Sequence, residues 1–468
     1  MHSQAPAVAS VQPQRERNAE APSSIWCERA LLPAGVADRV LLTLGGDRIA
    51  AVDSGVEPPA GATRLDGLTL PGFANAHSHA FQRALRGRTH RTSGTFWSWR
   101  EAMYRLAARL DPDTFEELAT ATFAEMVLAG YTVVGEFHYV HHGPRGVPYA
   151  DPNELGRRVG AAAERAGLRL TLLDTCYLRG GVGVELDAVQ RRFADADAAA
   201  WAERADALRA SSGPDMRVGA AVHSVRAVDP PSIAAVAGWA DSHGAVLHAH
   251  VSEQPAENEA CLAAYGCTPV ELLGSGNALS QRFTAVHATH VTPADITNLG
   301  SAGCGACICP TTERDLADGI GPAAALAGAG VALCLGSDSH AVVDPFAEAR
   351  AIELDARLAS GVRGTHTPAD LLAAATTGGY RSLGWNGGEL AAGQLGDLVT
   401  IGLDSPRLAG CAAAGGDVLG AAIFAATAGD VRDVFVGGRR VVRGGSHVDI
   451  DVTAALASSI AAAWEIVR

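Results

Sequence analysis

Four short apolar runs, each ending in polar residues, lie in one stretch of the chain: AVLHAHVSE (residues 245–253), FTAVHATHV (283–291), GACICPTT (305–312) and VALCLGSDS (331–339). Three similar runs precede them: TVVGEFHY (132–139), LRLTLLDTCYL (168–178) and MRVGAAVHSV (216–225). Stretches of helical character, such as PNELGRRVGAAAERAG (152–167), separate the runs. Repetition of strand then helix predicts an α/β fold with a parallel sheet, and about eight repeats fit a TIM-like (β/α)8 barrel. A doubly wound open sheet is the alternative, but no G-x-G-x-x-G pattern follows the first strand.

The polar residues occupy the same place in nearly every run. A His, Asp or Glu comes at the C-terminal end of the apolar stretch. Barrel enzymes carry their chemistry at that face, on the segments that follow the strands. We therefore expect these side chains to converge on one site at the mouth of the barrel.

The two ends of the chain have a different texture. Short strand-like runs, VLLTL and IAAVDS, occur before residue 70, and LVTIGL and VRDVFVGGRRVVRGG return after residue 397, with Gly437-Gly438 placed as in a hairpin. This pattern predicts a small discontinuous β-sandwich domain formed by both termini; two unrelated β appendages are the alternative. The predicted boundaries are a mobile tail at 1–22, β segments at 23–70 and 386–450, the barrel at 71–385 and a C-terminal helix at 451–468.

Composition argues against several classes of protein. The 468 residues are 48% hydrophobic and 19% charged, with a net charge of −14. This balance suits a globular enzyme and disfavours nucleic-acid binding, which requires a basic surface. A small anionic substrate would need local Arg or Lys side chains, because the overall charge repels it. We find neither an apolar signal segment nor a run of about 18 apolar residues, so we predict a cytoplasmic protein without a membrane partner.

The nine cysteines follow no disulfide or metal-binding pattern. Their odd number and scatter fit a reducing cytoplasm. Cys304, Cys307 and Cys309 lie in one apolar run, where we interpret them as small buried residues of a strand, because four zinc ligands are not assembled there.

A histidine pair occurs in LPGFANAHSHAFQRALRG (70–87), which contains His77 and His79. Residues two apart on a strand point to the same side, so the two imidazoles can chelate one metal ion. By itself the His-x-His pattern is weak evidence, since many such pairs bind nothing.

Later strand ends supply further candidate ligands. His250 ends one run, with His248 as a rival on the same side, and Glu253 follows three residues on. His287 and His290 occur in AVHATH, and Asp338 follows the run VALCLGS. Three imidazoles and one carboxylate suit a single divalent ion, with Zn2+ as the first choice and Fe2+ or manganese as alternatives.

The motifs PGFANAHSHAFQ, HVSEQ, AVHATH and GSDSH resemble the successive metal and catalytic motifs of the amidohydrolase superfamily, in particular its mononuclear deaminase branch. The resemblance extends over about residues 24–450 and includes GELAAGQLGDLVTIGLD, the segment that returns to the β domain. It implies that His77, His79, His250 and Asp338 bind the metal, and it favours His250 over His248 because His250 begins the His-x-x-Glu motif. Relatives suggest a homodimer.

Within that branch, FQRALRGRTH, TFWSWREAMYRL, GEFHYVHH and CPTTERDLADG resemble the formimidoylglutamate deiminases. Guanine deaminases and triazine hydrolases usually carry Cys-Pro-x-Ser-Asn where this chain has CPTTE (309–313). The resemblance implies hydrolysis of N-formimino-L-glutamate to N-formyl-L-glutamate and ammonia. A deaminase or chlorohydrolase of a guanine-like or triazine-like heterocycle, and a barrel that binds without catalysis, are the alternatives.

The resemblance also implies catalytic roles. Asp338 would act as general base, Glu253 would protonate the leaving nitrogen, and His287 would hold the attacking water, although a purely structural histidine is an alternative for His287. His290 is interpreted as structural.

A substrate with two carboxylates requires cations in the pocket. Arg226 is the best candidate, because its planar fork matches a carboxylate, and His223 can contact the same group. The resemblance adds Gln82 and Tyr139. Either Arg100 or Arg105 could reach the second carboxylate, and each could equally be a surface charge.

The end of the run TVVGEFHY and the region that follows it contain a histidine cluster and a Gly/Pro-rich segment. The histidines His138, His141 and His142 form a loop cluster for which a second metal site is the less favoured reading. The Gly/Pro-rich segment HHGPRGVPYADPN (141–153) is a candidate lid.

Overall fold

A computed structural model describes residues 23–90 and 94–467, so the predicted mobile tail at 1–22 lies outside the described residues. Two eight-stranded sheets organise the chain. The strands are β1 (Ser24–Leu32), β2 (Gly35–Gly45), β3 (Arg48–Asp53), β4 (Thr63–Pro71), β5 (Phe73–Ser78), β6 (Tyr131–His138), β7 (Arg169–Cys176), β8 (Met216–Val222), β9 (Leu247–Val251), β10 (Phe283–His287), β11 (Gly305–Ile308), β12 (Ala332–Leu335), β13 (Leu398–Ile401), β14 (Val431–Val436), β15 (Arg439–Arg443) and β16 (Ser446–His447).

The helices of the described residues follow the barrel strands or extend the two ends. They are α1 (Phe96–Ala107), α2 (Pro112–Leu128), α3 (Glu154–Ala166), α4 (Ala198–Ala210), α5 (Pro230–Ser242), α6 (Pro255–Tyr265), α7 (Pro269–Ser275), α8 (Pro293–Ser301), α9 (Pro310–Leu316), α10 (Ala323–Gly328), α11 (Pro345–Ser360), α12 (Pro368–Ala373), α13 (Gly379–Ser382), α14 (Val418–Ala425) and α15 (Val452–Val467). Many begin with Pro after a capping side chain; Asp229, for example, accepts a hydrogen bond from the Ser232 amide at the start of α5.

The first sheet is the predicted barrel. Strands β5 to β12 lie side by side in chain order, and every neighbouring pair is parallel. A parallel bridge between Ser78 and Asp338 joins the first and last strands. β6 and β7 are buried along their whole length, as expected of parallel strands covered on both faces. The predicted α/β barrel class is confirmed.

The second sheet contains strands from both ends of the chain, in the order β16-β15-β14-β13-β4-β1-β2-β3. The N-terminal and C-terminal parts meet where β4 pairs with β13, and the hydroxyls of Thr69 and Thr400 are 2.9 Å apart there. The predicted hairpin at Gly437-Gly438 is present; both glycines have positive φ, as a tight turn between twisted strands requires. The terminal strands thus form one additional sheet, whereas the domain boundaries stay predictions.

Within the described ranges, no helix is long and apolar enough to cross a membrane.

Candidate metal centre and substrate pocket

The C-terminal ends of three barrel strands bring the four predicted ligands together. His77 lies in β5 with His79 just beyond it, His250 lies in β9, and Asp338 follows β12. The ligating atoms of His77, His79 and Asp338 all lie within 4.8 Å of one another, and so do those of His77, His250 and His287. All of these side chains are buried.

The distances between these side chains suit a shared ion. Asp338 Oδ1 lies 3.4 Å from His77 Nε2 and 3.4 Å from His79 Nε2. His250 Nε2 is 3.2 Å from His77 Nε2. At these distances all four side chains can reach one common position.

The orientation and protonation of the rings also fit a metal. His79 Nδ1 donates to the Phe137 carbonyl at 2.9 Å, and His250 Nδ1 donates to the His223 carbonyl at 2.8 Å. Because each Nδ1 carries a proton for its carbonyl partner, each Nε2 is left as a ligand atom. Burial lowers the pKa of His250 to about 3, and it lowers the pKa of His77 and His79 well below the usual range. The imidazoles are therefore neutral, as metal ligation requires.

His248, the rival of His250, faces another partner. Its Nε2 donates to the Ser382 carbonyl at 2.9 Å, and His248 belongs to neither of the ligand groups above. His290 donates its Nε2 proton to the Asp318 carbonyl at 2.8 Å, in keeping with a structural histidine.

Glu253 and His287 stand beside the ligand group. His287 Nε2 is 3.7 Å from Glu253 Oε1 and 3.8 Å from Asp338 Oδ2. Burial raises the pKa of Glu253, although the neighbouring His287 opposes that shift. Burial alone lowers the pKa of His287, but the surrounding carboxylates, Glu253 first, outweigh burial and raise it to about 10. The charge of Glu253 therefore favours a protonated His287, a cationic hydrogen-bond donor beside the ligand group.

A pocket opens from this group of residues, and the predicted substrate residues Gln82, Tyr139, His223 and Arg226 line it. Gln82 Nε2 donates to the Tyr139 hydroxyl at 3.0 Å. The pocket wall is strongly aromatic, with Phe96, Trp99, Tyr104, Tyr139, Tyr177 and Phe193. Such a wall excludes water and leaves the few polar groups to select the ligand.

Arg100 also lines the pocket, whereas Arg105 is exposed on the same helix. The Arg100 guanidinium lies 5.1 Å from the ring of Trp97 and 5.0 Å from the ring of Tyr104. These cation–π contacts hold the charge near the pocket mouth without neutralising it.

Two other predicted features lie elsewhere. In the histidine cluster outside the pocket, His141 Nε2 donates to the Thr175 carbonyl at 2.9 Å, and Arg204 pairs with Asp174 and Asp195 beside it. Burial raises the pKa of Cys307 and Cys309 well above the usual value, so these residues remain thiols in the core.

The lid expected at 141–153 stays a prediction. That segment contributes no lining residue among those described, and α1 covers the pocket instead. Sequence reasoning also missed Tyr177 and Phe193 in the wall and the contact of Glu313 with His287. Of these residues, only Tyr177 could have been predicted from its position, because it directly follows the end of β7.

The chain belongs to the amidohydrolase family, because the family's sequence model matches residues 68–441. It is accordingly a hydrolase that acts on carbon–nitrogen bonds, in a family of metal-dependent enzymes.

The chain is 40% identical over 440 residues to formimidoylglutamate deiminase of Pseudomonas aeruginosa, across 91% of this chain and 96% of that protein. It is 32% identical over 413 residues to 8-oxoguanine deaminase of the same organism, across 86% and 88%. A crystal structure of an amidohydrolase from Brucella melitensis superposes with a TM-score of 0.87 at 34% identity and covers 94% of this chain and 99% of that one.

Proposed function

We propose that the protein hydrolyses N-formimino-L-glutamate to N-formyl-L-glutamate and ammonia, a step of histidine breakdown. The observation that carries the proposal is the pair Arg226 and Arg100 at one pocket. Within residues 23–90 and 94–467, neither guanidinium forms an ion pair with a carboxylate. Two unpaired cations in an aromatic pocket favour a substrate with two anionic groups.

Arg226 is held in place by its neighbours. The Arg179 guanidinium donates to the carbonyls of Val225 at 2.8 Å, Arg226 at 3.0 Å and Val228 at 3.1 Å. These bonds fix the backbone after β8 and do not involve the Arg226 side chain, which lines the pocket. A fixed cation is the kind of group that a negatively charged protein needs to bind an anion.

The reacting end of the substrate would lie beside the ligand group. When bound, a divalent ion activates a water molecule as a nucleophile at neutral pH. Asp338 is placed to accept the proton of the attacking water, and His287 to hold that water by a hydrogen bond. Glu253, whose pKa burial raises, would give a proton to the imino nitrogen and help ammonia leave.

The donor set supports Zn2+ as the ion, with Fe2+ as the alternative. Three neutral imidazole nitrogens and one carboxylate oxygen are ligands that both ions accept, and the set offers few hard oxygen donors for Mg2+ or Ca2+. We propose one ion per chain, held by His77, His79, His250 and Asp338.

A second candidate is the deamination of an aromatic base, because the chain is also related to an 8-oxoguanine deaminase. The aromatic wall would suit a flat ring. The two guanidinium groups disfavour this reading, since a neutral base would cover these partly buried cations without offering either one an anionic partner.

Ammonia release from N-formimino-L-glutamate, 8-oxoguanine, guanine and an aminotriazine tests the proposal, with zinc-loaded protein and an enzyme-coupled ammonia assay. We expect turnover of the formimino compound and little of the others. Turnover of a heterocycle alone would overturn the proposed substrate and leave the family assignment intact.

A further inference from the structure

Glu313 is a buried carboxylate behind the reacting site. It lies in the first turns of α9, directly after β11, and only 4% of it is exposed. It does not line the substrate pocket. Its role must therefore be sought in the groups that it contacts.

One oxygen of Glu313 makes two contacts. Oε1 lies 3.3 Å from His287 Nδ1 and accepts a hydrogen bond from the Cys309 amide at 2.8 Å. The Glu313 amide in turn donates to the Cys309 carbonyl at 2.9 Å. The Cys309 amide thus holds the Glu313 carboxylate at the start of α9. From there, the same oxygen can accept a hydrogen bond from His287 Nδ1.

His287 needs an external restraint. Its φ is 68°, and that of the following Ala288 is 50°, so two successive non-glycine residues adopt the left-handed region. Such strain persists only where surrounding contacts impose it, and it is common at reacting sites. On the far side of the ring, Nε2 faces Glu253 at 3.7 Å and Asp338 at 3.8 Å.

We propose that Glu313 is a positioning residue that holds the Nδ1 proton of His287 and thereby keeps Nε2 directed between Glu253 and Asp338. A carboxylate that orients an imidazole in this way is a recurrent arrangement in hydrolases. The inference rests on the proposed function in one respect only, the participation of His287 in the reaction.

Glu348 provides a matched control. It is also a buried carboxylate, on α11, and its oxygens accept hydrogen bonds at the first turn of α9, from the Thr311 amide at 3.0 Å and the Thr311 hydroxyl at 2.5 Å. Unlike Glu313, it makes no hydrogen bond to His287. A loss of activity caused only by a loosened α9 would appear in both E348Q and a Glu313 variant.

Steady-state kinetics of E313A, E313Q and E348Q form the first test. We expect E313A to lower kcat about 10- to 100-fold with KM within about twofold. E313Q should recover most of kcat, because one amide oxygen can accept from both Cys309 and His287, and E348Q should stay near the wild type. Equal losses in E313A and E348Q would overturn the proposal. If E313A does not fold, E313D replaces it. Its side chain is one methylene shorter, so the carboxylate is kept but withdrawn from His287.

A double mutant tests whether Glu313 acts through His287. In an H287N background, E313A should cause little further loss, because the ring that it positions is already absent. Losses that multiply would show an independent role and would overturn the proposal. Metal content should equal that of the wild type in E313A; a fall would make Glu313 part of a metal site instead.

A measurement without substrate separates this inference from the proposed function. The spectrum of 15N-histidine-labelled, zinc-loaded protein contains a His287 signal that H287N identifies by its loss. We expect this signal to shift in E313A, to return toward the wild-type position in E313Q and to stay unchanged in E348Q. An unchanged signal in E313A would overturn the inference even if the enzyme hydrolyses N-formimino-L-glutamate. A shifted signal in an enzyme inactive on that compound would overturn only the proposed substrate.

Discussion

Ser78 and Asp338 form the parallel bridge that closes the barrel, although 259 residues separate them in the chain. On either side of the bridge, the Asp338 amide donates to the His77 carbonyl at 3.0 Å and the His79 amide donates to the Asp338 carbonyl at 3.1 Å. The backbone that closes the barrel thus also sets the distance between three candidate ligands. Metal binding and closure of the barrel should therefore be linked.

Metal removal should reduce both activity and stability. We expect dialysis against a chelator to abolish ammonia release and to lower Tm, and one equivalent of Zn2+ to restore both, because an ion that binds only the folded state stabilises it. Differential scanning calorimetry and metal analysis provide the measurements. A chelated sample that holds no metal and keeps full activity would contradict the prediction.

The two histidines of β9 should respond differently to substitution. H250Q should lose most of the bound metal, because His250 Nε2 faces His77, whereas H248Q should retain it, because His248 bonds to the Ser382 carbonyl. Metal content per chain after gel filtration is the measurement. Metal loss in H248Q with retention in H250Q would reverse our choice of ligand.

Replacement of Arg226 should weaken the use of a dicarboxylate. We expect R226M to lower kcat/KM for N-formimino-L-glutamate about 30- to 1,000-fold, a loss of about 2–4 kcal/mol of transition-state stabilisation, because a buried substrate carboxylate loses its partner. R105M is the matched control, since Arg105 is exposed and does not line the pocket. Equal values for R226M and the wild type would exclude Arg226 from substrate binding.

Glu253 should be needed for chemistry and not for folding. We expect E253Q to lower kcat by a factor of about 100 to 10,000, because Gln cannot transfer the proton that the leaving nitrogen requires. Metal content and Tm should remain near the wild-type values. E259Q, with an exposed side chain on α6, is the control. A kcat in E253Q close to that of the wild type would disprove the assigned role.

The split β sheet should lose stability in acid through Asp430. Its carboxylate accepts hydrogen bonds from Arg407 Nε at 3.0 Å, Arg407 Nη2 at 2.8 Å and the Thr427 amide at 2.9 Å. Burial favours a higher pKa, but these donors outweigh burial and hold the pKa of Asp430 at about 2. Because the folded-state pKa lies below the unfolded one, the stabilisation is present above about pH 4 and is lost as the pH falls toward 2.

D430N should accordingly reduce the free energy of unfolding at pH 7 by about 1–2 kcal/mol, a small effect because Arg407 is 47% exposed. The difference from the wild type should shrink as the pH falls from 4 to 3, measured by urea unfolding. D449N, with an exposed carboxylate, is the control. A difference that does not vary with pH would mean that the charge of Asp430 contributes nothing.

Strand periodicity made the ligands predictable. His77 and His79 are two residues apart at a strand end, and His250, His287 and Asp338 each close or follow a short apolar run. Side-chain direction along a strand follows from local geometry, so the pattern placed these residues on one side, but it did not separate His250 from His248; the family resemblance made that choice. The barrel itself was predicted from the repeated order of strand then helix along the chain.

The substrate pocket was less predictable, as Arg100 and Arg105 illustrate. The two residues are five positions apart on α1, about 140° around the helix axis, so they face different directions. Which direction faces the pocket depends on how α1 packs across the barrel mouth, and the sequence of the helix alone does not fix that placement.

The sequence by itself determined the barrel, the terminal β segments and the ring of candidate ligands, because these depend on periodicities of two and 3.6 residues and on the fixed polarity of parallel strands. Only the tertiary structure decided that Arg100 and not Arg105 lines the pocket, that α1 covers it, and that Glu313 bonds to His287. These relationships join segments whose relative placement depends on packing between distant residues, which no local pattern in the chain encodes.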